Sequence, residues 1–81
     1  MTVISNAALI RSLLEQIPAG GEVNAESFQG DRDQVLFGLR EMINLELITG
    51  QFEYGKARDP VGPLLSSAAA IRLTRRGLSL K

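Results

Sequence analysis

The sequence predicts a small α+β domain in which about three helices pack on a two-stranded β-hairpin. Three observations carry that reading. Two segments, roughly Ser5–Ile17 and Asp31–Leu47, space their apolar residues three and four apart. The period then drops to two at Ile48–Tyr54 and again at Ala69–Leu73, and a Gly/Pro-rich stretch separates those two segments. A two-stranded hairpin is not stable alone in water, so it must borrow the apolar faces of both helices. At 81 residues, 1–81 reads as a single domain.

The first helix places Ile10, Leu13, Leu14 and Ile17 on one stripe, broadened by Ala7 and Leu9, with Arg11, Ser12, Glu15 and Gln16 opposite. Ser5 or Asn6 suits its N-cap, and Pro18-Ala-Gly-Gly21 ends it. Residues 22–30 admit two readings, a short extended segment through Val23 or one helical turn after Asn24; Phe28 is the large apolar residue that reaches the core. Asp31 with Gln34 resembles a capping box and opens the main helix. Along it Val35, Leu36, Leu39, Met42, Ile43 and Leu47 make a continuous apolar face. Gly38 inside that helix costs about 1 kcal/mol relative to alanine, which either a close helix crossing or simple tolerance accounts for.

After Leu47, Ile48, Gly50, Phe52 and Tyr54 alternate with Thr49, Gln51 and Glu53, as in a half-buried strand. Gly55 to Ser67 reads as a long loop, with Asp59-Pro60 and Gly62-Pro63 as turn signals. A second strand follows, with Ala69, Ile71 and Leu73 on one face and Ala70, Arg72 and Thr74 on the other. Thr74 is placed to cap a last helical turn through Lys81.

Composition narrows the function. The absence of cysteine excludes disulfides and thiolate metal sites, and the absence of histidine removes the commonest metal ligand and general base at neutral pH. No Gly-rich phosphate loop and no Gly-x-Ser-x-Gly occurs, so the expectation is a protein that is not an enzyme and needs no cofactor or metal. No apolar run is long enough for a membrane span and the N-terminus does not read as a signal peptide, which predicts a cytoplasmic protein with no membrane partner. Net charge is zero but segregated. Residues 1–53 carry three basic and eight acidic side chains, and residues 54–81 carry six basic and one acidic. That asymmetry marks either a face that meets a polyanion or two halves of one fold that attract each other.

The stretches Val35-Leu-Phe-Gly-Leu-Arg-Glu-Met-Ile-Asn-Leu-Glu-Leu-Ile-Thr-Gly50 and Arg72-Leu-Thr-Arg-Arg-Gly77 resemble winged-helix proteins. In these a helix closing in Leu-Ile-x-Gly enters the first wing strand, and Leu-Thr-x-x-Gly leads from the second strand into a final helix. More narrowly, and with Ala8-Leu-Ile-Arg-Ser-Leu-Leu14 included, the chain resembles a family of short, functionally uncharacterised bacterial and prophage winged-helix proteins. It departs from them at Phe37-Gly38, where Tyr-His is common, and at Glu46, where Gly is common.

The resemblance implies double-stranded DNA as partner and a role in transcription regulation, with the helix from Asp31 in the major groove. Arg32, Gln34, Phe37, Arg40, Glu41 and Asn44 are then the outward candidates; arginine, glutamine and asparagine suit bidentate contacts to base edges. Lys56, Arg58, Arg72, Arg75 and Arg76 are the candidates for phosphate neutralisation. Asp31, Asp33 and Glu41 oppose this reading, since they would approach the phosphates; the plainer role for Asp31 is a cap, and for Arg32, Arg40 and Asn44 a solvated helix face. The alternative is a protein–protein or homodimerisation module, for which Phe37 and Leu64-Leu65 are the apolar candidates unless they fold back over the hairpin.

Overall fold

The computed structural model describes residues 3–60 and 62–80. Helix α1 (Val3–Gln16) is followed by a 3-10 turn (Ala25–Ser27), helix α2 (Arg32–Asn44), strands β1 (Ile48–Asp59) and β2 (Gly62–Leu73), and helix α3 (Arg75–Leu80). The two strands form an antiparallel hairpin. Helix α1 begins at Val3, so Ser5 and Asn6 fall within its first turns and not ahead of them, and their side chains lie outside the described residues. Among the described residues, no helix is long and apolar enough to cross a membrane.

One core unites the elements. Leu13, Leu14 and Ile17 from α1 meet Val35, Leu36, Leu39 and Met42 from α2, with Ile48, Leu65, Ala68 and Ile71 from the hairpin closing the third side. Gly38 sits at a close helix crossing: a Cβ there would stand 2.5 Å from Leu13 Cδ1 and 3.2 Å from Leu9. Leu13 is itself buried and has little room to retreat.

Both readings of residues 22–30 are realised. Val23 exchanges two backbone hydrogen bonds with Ile71, donating at 3.0 Å and accepting at 2.7 Å, and the 3-10 turn follows directly. Phe28 is buried beside them. A bulge in β2 makes the bridge possible. Thr49 pairs with Arg72 and Gln51 with Ala69, so β2 holds one residue more than β1 across this step. Ala70 takes a left-handed conformation (φ 53°) and its amide donates to Asn24 Oδ1 at 3.1 Å. Gly50 lies opposite, where a Cβ would come within 2.9 Å of the Ala69 and Ala70 carbonyl oxygens.

Most of the predicted loop 55–67 is strand instead: β1 runs on to Asp59, with a turn at Pro60, and β2 already begins at Gly62. Proline and glycine were strong loop signals, but each arm of an isolated hairpin is an edge strand, where a missing amide is tolerated. Pro63 accordingly sits in β2 opposite Arg58. Alternation also fails in β2. The bulges turn Leu65, Ala68 and Ile71 inward at a spacing of three; of the expected Ala69, Ile71 and Leu73, Ile71 is fully buried and Leu73 packs on the core, while Ala69 is half-buried and Ala68 takes the inward place.

The end of α2 and the start of α3 are built as one joint. Glu46 adopts φ 63°, and the amides of Glu46 and Leu47 donate to the carbonyls of Ile43 and Met42, each at 2.9 Å. This is a Schellman closure. The next carbonyls are then taken from across the fold: Leu45 O by Arg76 Nη1 (3.2 Å), Glu46 O by Thr74 Oγ1 (2.6 Å), and Leu47 O by the Thr74 amide (2.9 Å). Thr74 Oγ1 in turn accepts from the Gly77 amide at 3.1 Å, capping α3. Gly77 packs on the Leu47 carbonyl so closely that no Cβ fits. The Leu-Ile-x-Gly and Leu-Thr-x-x-Gly segments are therefore two sides of one contact.

Candidate nucleic-acid interface

Helix α2 is anchored at its N-terminus by Asp31, whose carboxylate accepts the Gln34 amide at 3.2 Å. A carboxylate there also faces the positive end of the helix dipole. At about 100° per residue, Val35, Leu36, Leu39, Met42 and Ile43 occupy the core side and Gly38 the flank against α1. Arg32 and Arg40 lie on the opposite flank, against the hairpin. The remaining face carries Asp33, Gln34, Phe37, Glu41 and Asn44, and no basic residue.

That geometry corrects the expectation for two arginines. Arg40 does not point outward: it is 3% exposed, donates from Nη1 to the Gly62 carbonyl at 3.3 Å and from Nη2 to Glu41 at 3.1 Å, and stacks 5.3 Å from the Phe37 ring centroid. Arg32 is exposed but engaged, donating to the Ser66 carbonyl at 3.0 Å with Glu26 at 3.8 Å. Both guanidinium groups thus face hairpin carbonyls. Gln34 and Asn44 are exposed, as expected, but they stand among Asp33 and Glu41. Phe37 is half-buried under the Arg40 guanidinium.

The five remaining candidates, Lys56, Arg58, Arg72, Arg75 and Arg76, are all exposed. Lys56, Arg58 and Arg72 belong to the hairpin, and Arg75 and Arg76 form the first turn of α3. Arg76 alone of these has a hydrogen bond described above, to Leu45 O.

The apolar candidates Leu64-Leu65 fold back: Leu65 is 5% exposed in the core and Leu64 is half-buried. A different apolar surface is present, which the sequence reading missed. Ile10 and Leu14 of α1, Leu45 and Leu47 after α2, and Leu80 of α3 line an open groove of about 310 Å³, with Arg11 among its walls. Leu45 and Leu80 are 47% and 57% exposed. Periodicity gave no signal for it, because Leu45 lies at the helix end and Leu80 in a helix too short to show a period. Among the described residues, no three His, Cys, Asp or Glu side chains cluster as metal ligands.

No protein-family model, curated protein or solved structure matches the chain.

Proposed function

We propose that the chain is a non-enzymatic winged-helix binding module that holds double-stranded DNA by its phosphates, through the hairpin and the start of α3. The observation that carries this reading is the disposition of charge: Lys56, Arg58, Arg72, Arg75 and Arg76 are exposed on these elements, while the free face of α2 is acidic. An acidic helix face repels the phosphates that wall the major groove, so α2 is not the reading element in this arrangement. Binding of this kind is governed by counterion release and is weakly selective for sequence. The resemblance to short bacterial and prophage winged-helix proteins supports a regulatory use of such a contact, as a fold-level analogy.

A second reading, a protein-interaction or dimerisation module, is favoured by the groove between α1 and α3, where Leu45 and Leu80 remain open to solvent. Titration of labelled random-sequence duplex separates the two. About four phosphate contacts predict a loss of roughly 100-fold in affinity between about 50 and 200 mM salt. Replacing Lys56 and Arg58 together by alanine lowers the salt slope by about 2, irrespective of sequence. Absence of binding at the low salt, with a defined oligomer in sedimentation, rejects the DNA reading in favour of the interaction module.

A further inference from the structure

Helix α1 carries two charged residues, Arg11 and Glu15, four positions apart and both exposed. With Ala7 they follow one another at intervals of four and share one face. Among the described residues neither takes part in an ion pair or a side-chain hydrogen bond. Their order accounts for this, since within a helix an acidic residue ahead of a basic one pairs better than the reverse. One edge of this face is the apolar groove. Ala7, Ile10, Arg11 and Leu14 form its α1 wall, and Leu45 and Leu80, 47% and 57% exposed, complete it. The surface thus joins open leucines to one charge of each sign.

We propose that a second copy of this chain covers the groove, the two α1 helices packing antiparallel about a two-fold axis. This rests on the reading of the groove as an interaction site and names its occupant. Charge selects that occupant. A two-fold contact brings one patch against itself, so a patch of a single sign repels its own copy. This patch is self-complementary. With the axis level with position 13, Arg11 meets Glu15 of the second copy, and Glu15 meets its Arg11. The same register sets Ala7 and Ala8 beside Ala19 and Pro18 of the second copy, all exposed and too short to hold the helices apart. Parallel helices set Arg11 against Arg11, and a partner rich in one charge answers half of the patch while the other half repels it. On the groove side Leu45 and Leu80 close over the flank of the second α1. Apolar burial there supplies the attraction, and the ion pairs fix the register.

Sedimentation equilibrium of the chain, from about 1 to about 500 μM, tests it. The mass should rise from 8.8 kDa to twice that value. Leu80→Glu changes an exposed side chain, so the chain should stay folded by circular dichroism while Kd rises at least about tenfold. Arg11→Glu and Glu15→Arg each set like charges together twice, and each should raise Kd at least about tenfold. Mixing those two variants in equal amounts should restore the dimer to within about threefold of the wild type. Every acidic side chain of one then faces a basic one of the other, a rescue that no change within a single helix can produce. A monomer throughout overturns the proposal and leaves the groove to a different protein. A dimer indifferent to Leu80→Glu and to both charge variants also overturns it, and removes the groove from the interaction reading as well. Weakened single variants without rescue on mixing overturn the antiparallel pairing, and the proposal with it.

Discussion

The two ends of the hairpin are secured by different physics. At the inner end, the carbonyls of Leu45, Glu46 and Leu47 each have a partner from α3 or its cap, Gly50 accommodates the bulge, and Ile71 is fully buried. Here backbone complementarity and apolar burial act together, and few residue types satisfy both. At the outer end the register slips, Lys56, Ala57 and Arg58 of β1 are exposed while Pro63 and Leu64 of β2 are half-buried, and a buried arginine of α2 donates to the Gly62 carbonyl. The comparison predicts that stability resides at the inner end and that the outer end tolerates change.

The largest effect is expected where backbone meets backbone. In Gly77→Ala the new methyl group collides with the Leu47 carbonyl, which is fixed by the Thr74 amide and cannot move alone. Overpacking against a fixed main chain costs about 3 kcal/mol. Urea unfolding should show that loss at unchanged m-value; a loss below about 1 kcal/mol means that α3 shifts freely and the joint is not rigid.

This joint also shows how far the sequence could be read. Helices α1 and α2, their shared core stripe, the Asp31 and Thr74 caps and the hairpin pairing are all legible, because apolar period and capping chemistry are local signals. The extent of the strands is not. Pro60, Gly62 and Pro63 read as loop because their backbone preferences are local too, whereas tolerance for proline depends on the strand being an edge, which is a property of topology. The helical wheel alone places Arg40 outward for a related reason. Its place on the wheel flanks the apolar stripe, and what meets that flank is the far end of a hairpin whose length local signals do not reveal. For the exposed hairpin and α3 cations, charge segregation in the sequence was already the informative signal.

A smaller effect locates the boundary between the two ends. Leu65 is buried in the core and its neighbour Leu64 is half-buried. Leu65→Ala should cost about 2 kcal/mol through lost burial and the cavity left behind. Leu64→Ala should cost under about 1 kcal/mol, since it removes contacts that are already partly solvated. Equal costs, measured by chemical denaturation of both variants, would mean that the anchored region reaches past the register slip and that the two ends are not distinct.

The smallest effect has the opposite sign. Glu46 closes α2 in a left-handed conformation, φ 63°, the backbone region that glycine adopts without strain. An L-residue pays roughly 1–2 kcal/mol for that conformation, and glycine does not. Glycine also loses more chain entropy on folding, about 0.4–1 kcal/mol, which offsets part of the gain. Glu46→Gly should therefore stabilise the chain by about 0.5–1 kcal/mol, while Glu46→Ala, which keeps the strain, should not. The backbone carbonyl that receives Thr74 Oγ1 is retained in both, so the difference between the two variants isolates the conformational term. Thermal unfolding in which alanine stabilises as much as glycine would assign the effect to the removed carboxylate, and the inner joint would then owe nothing to its left-handed residue.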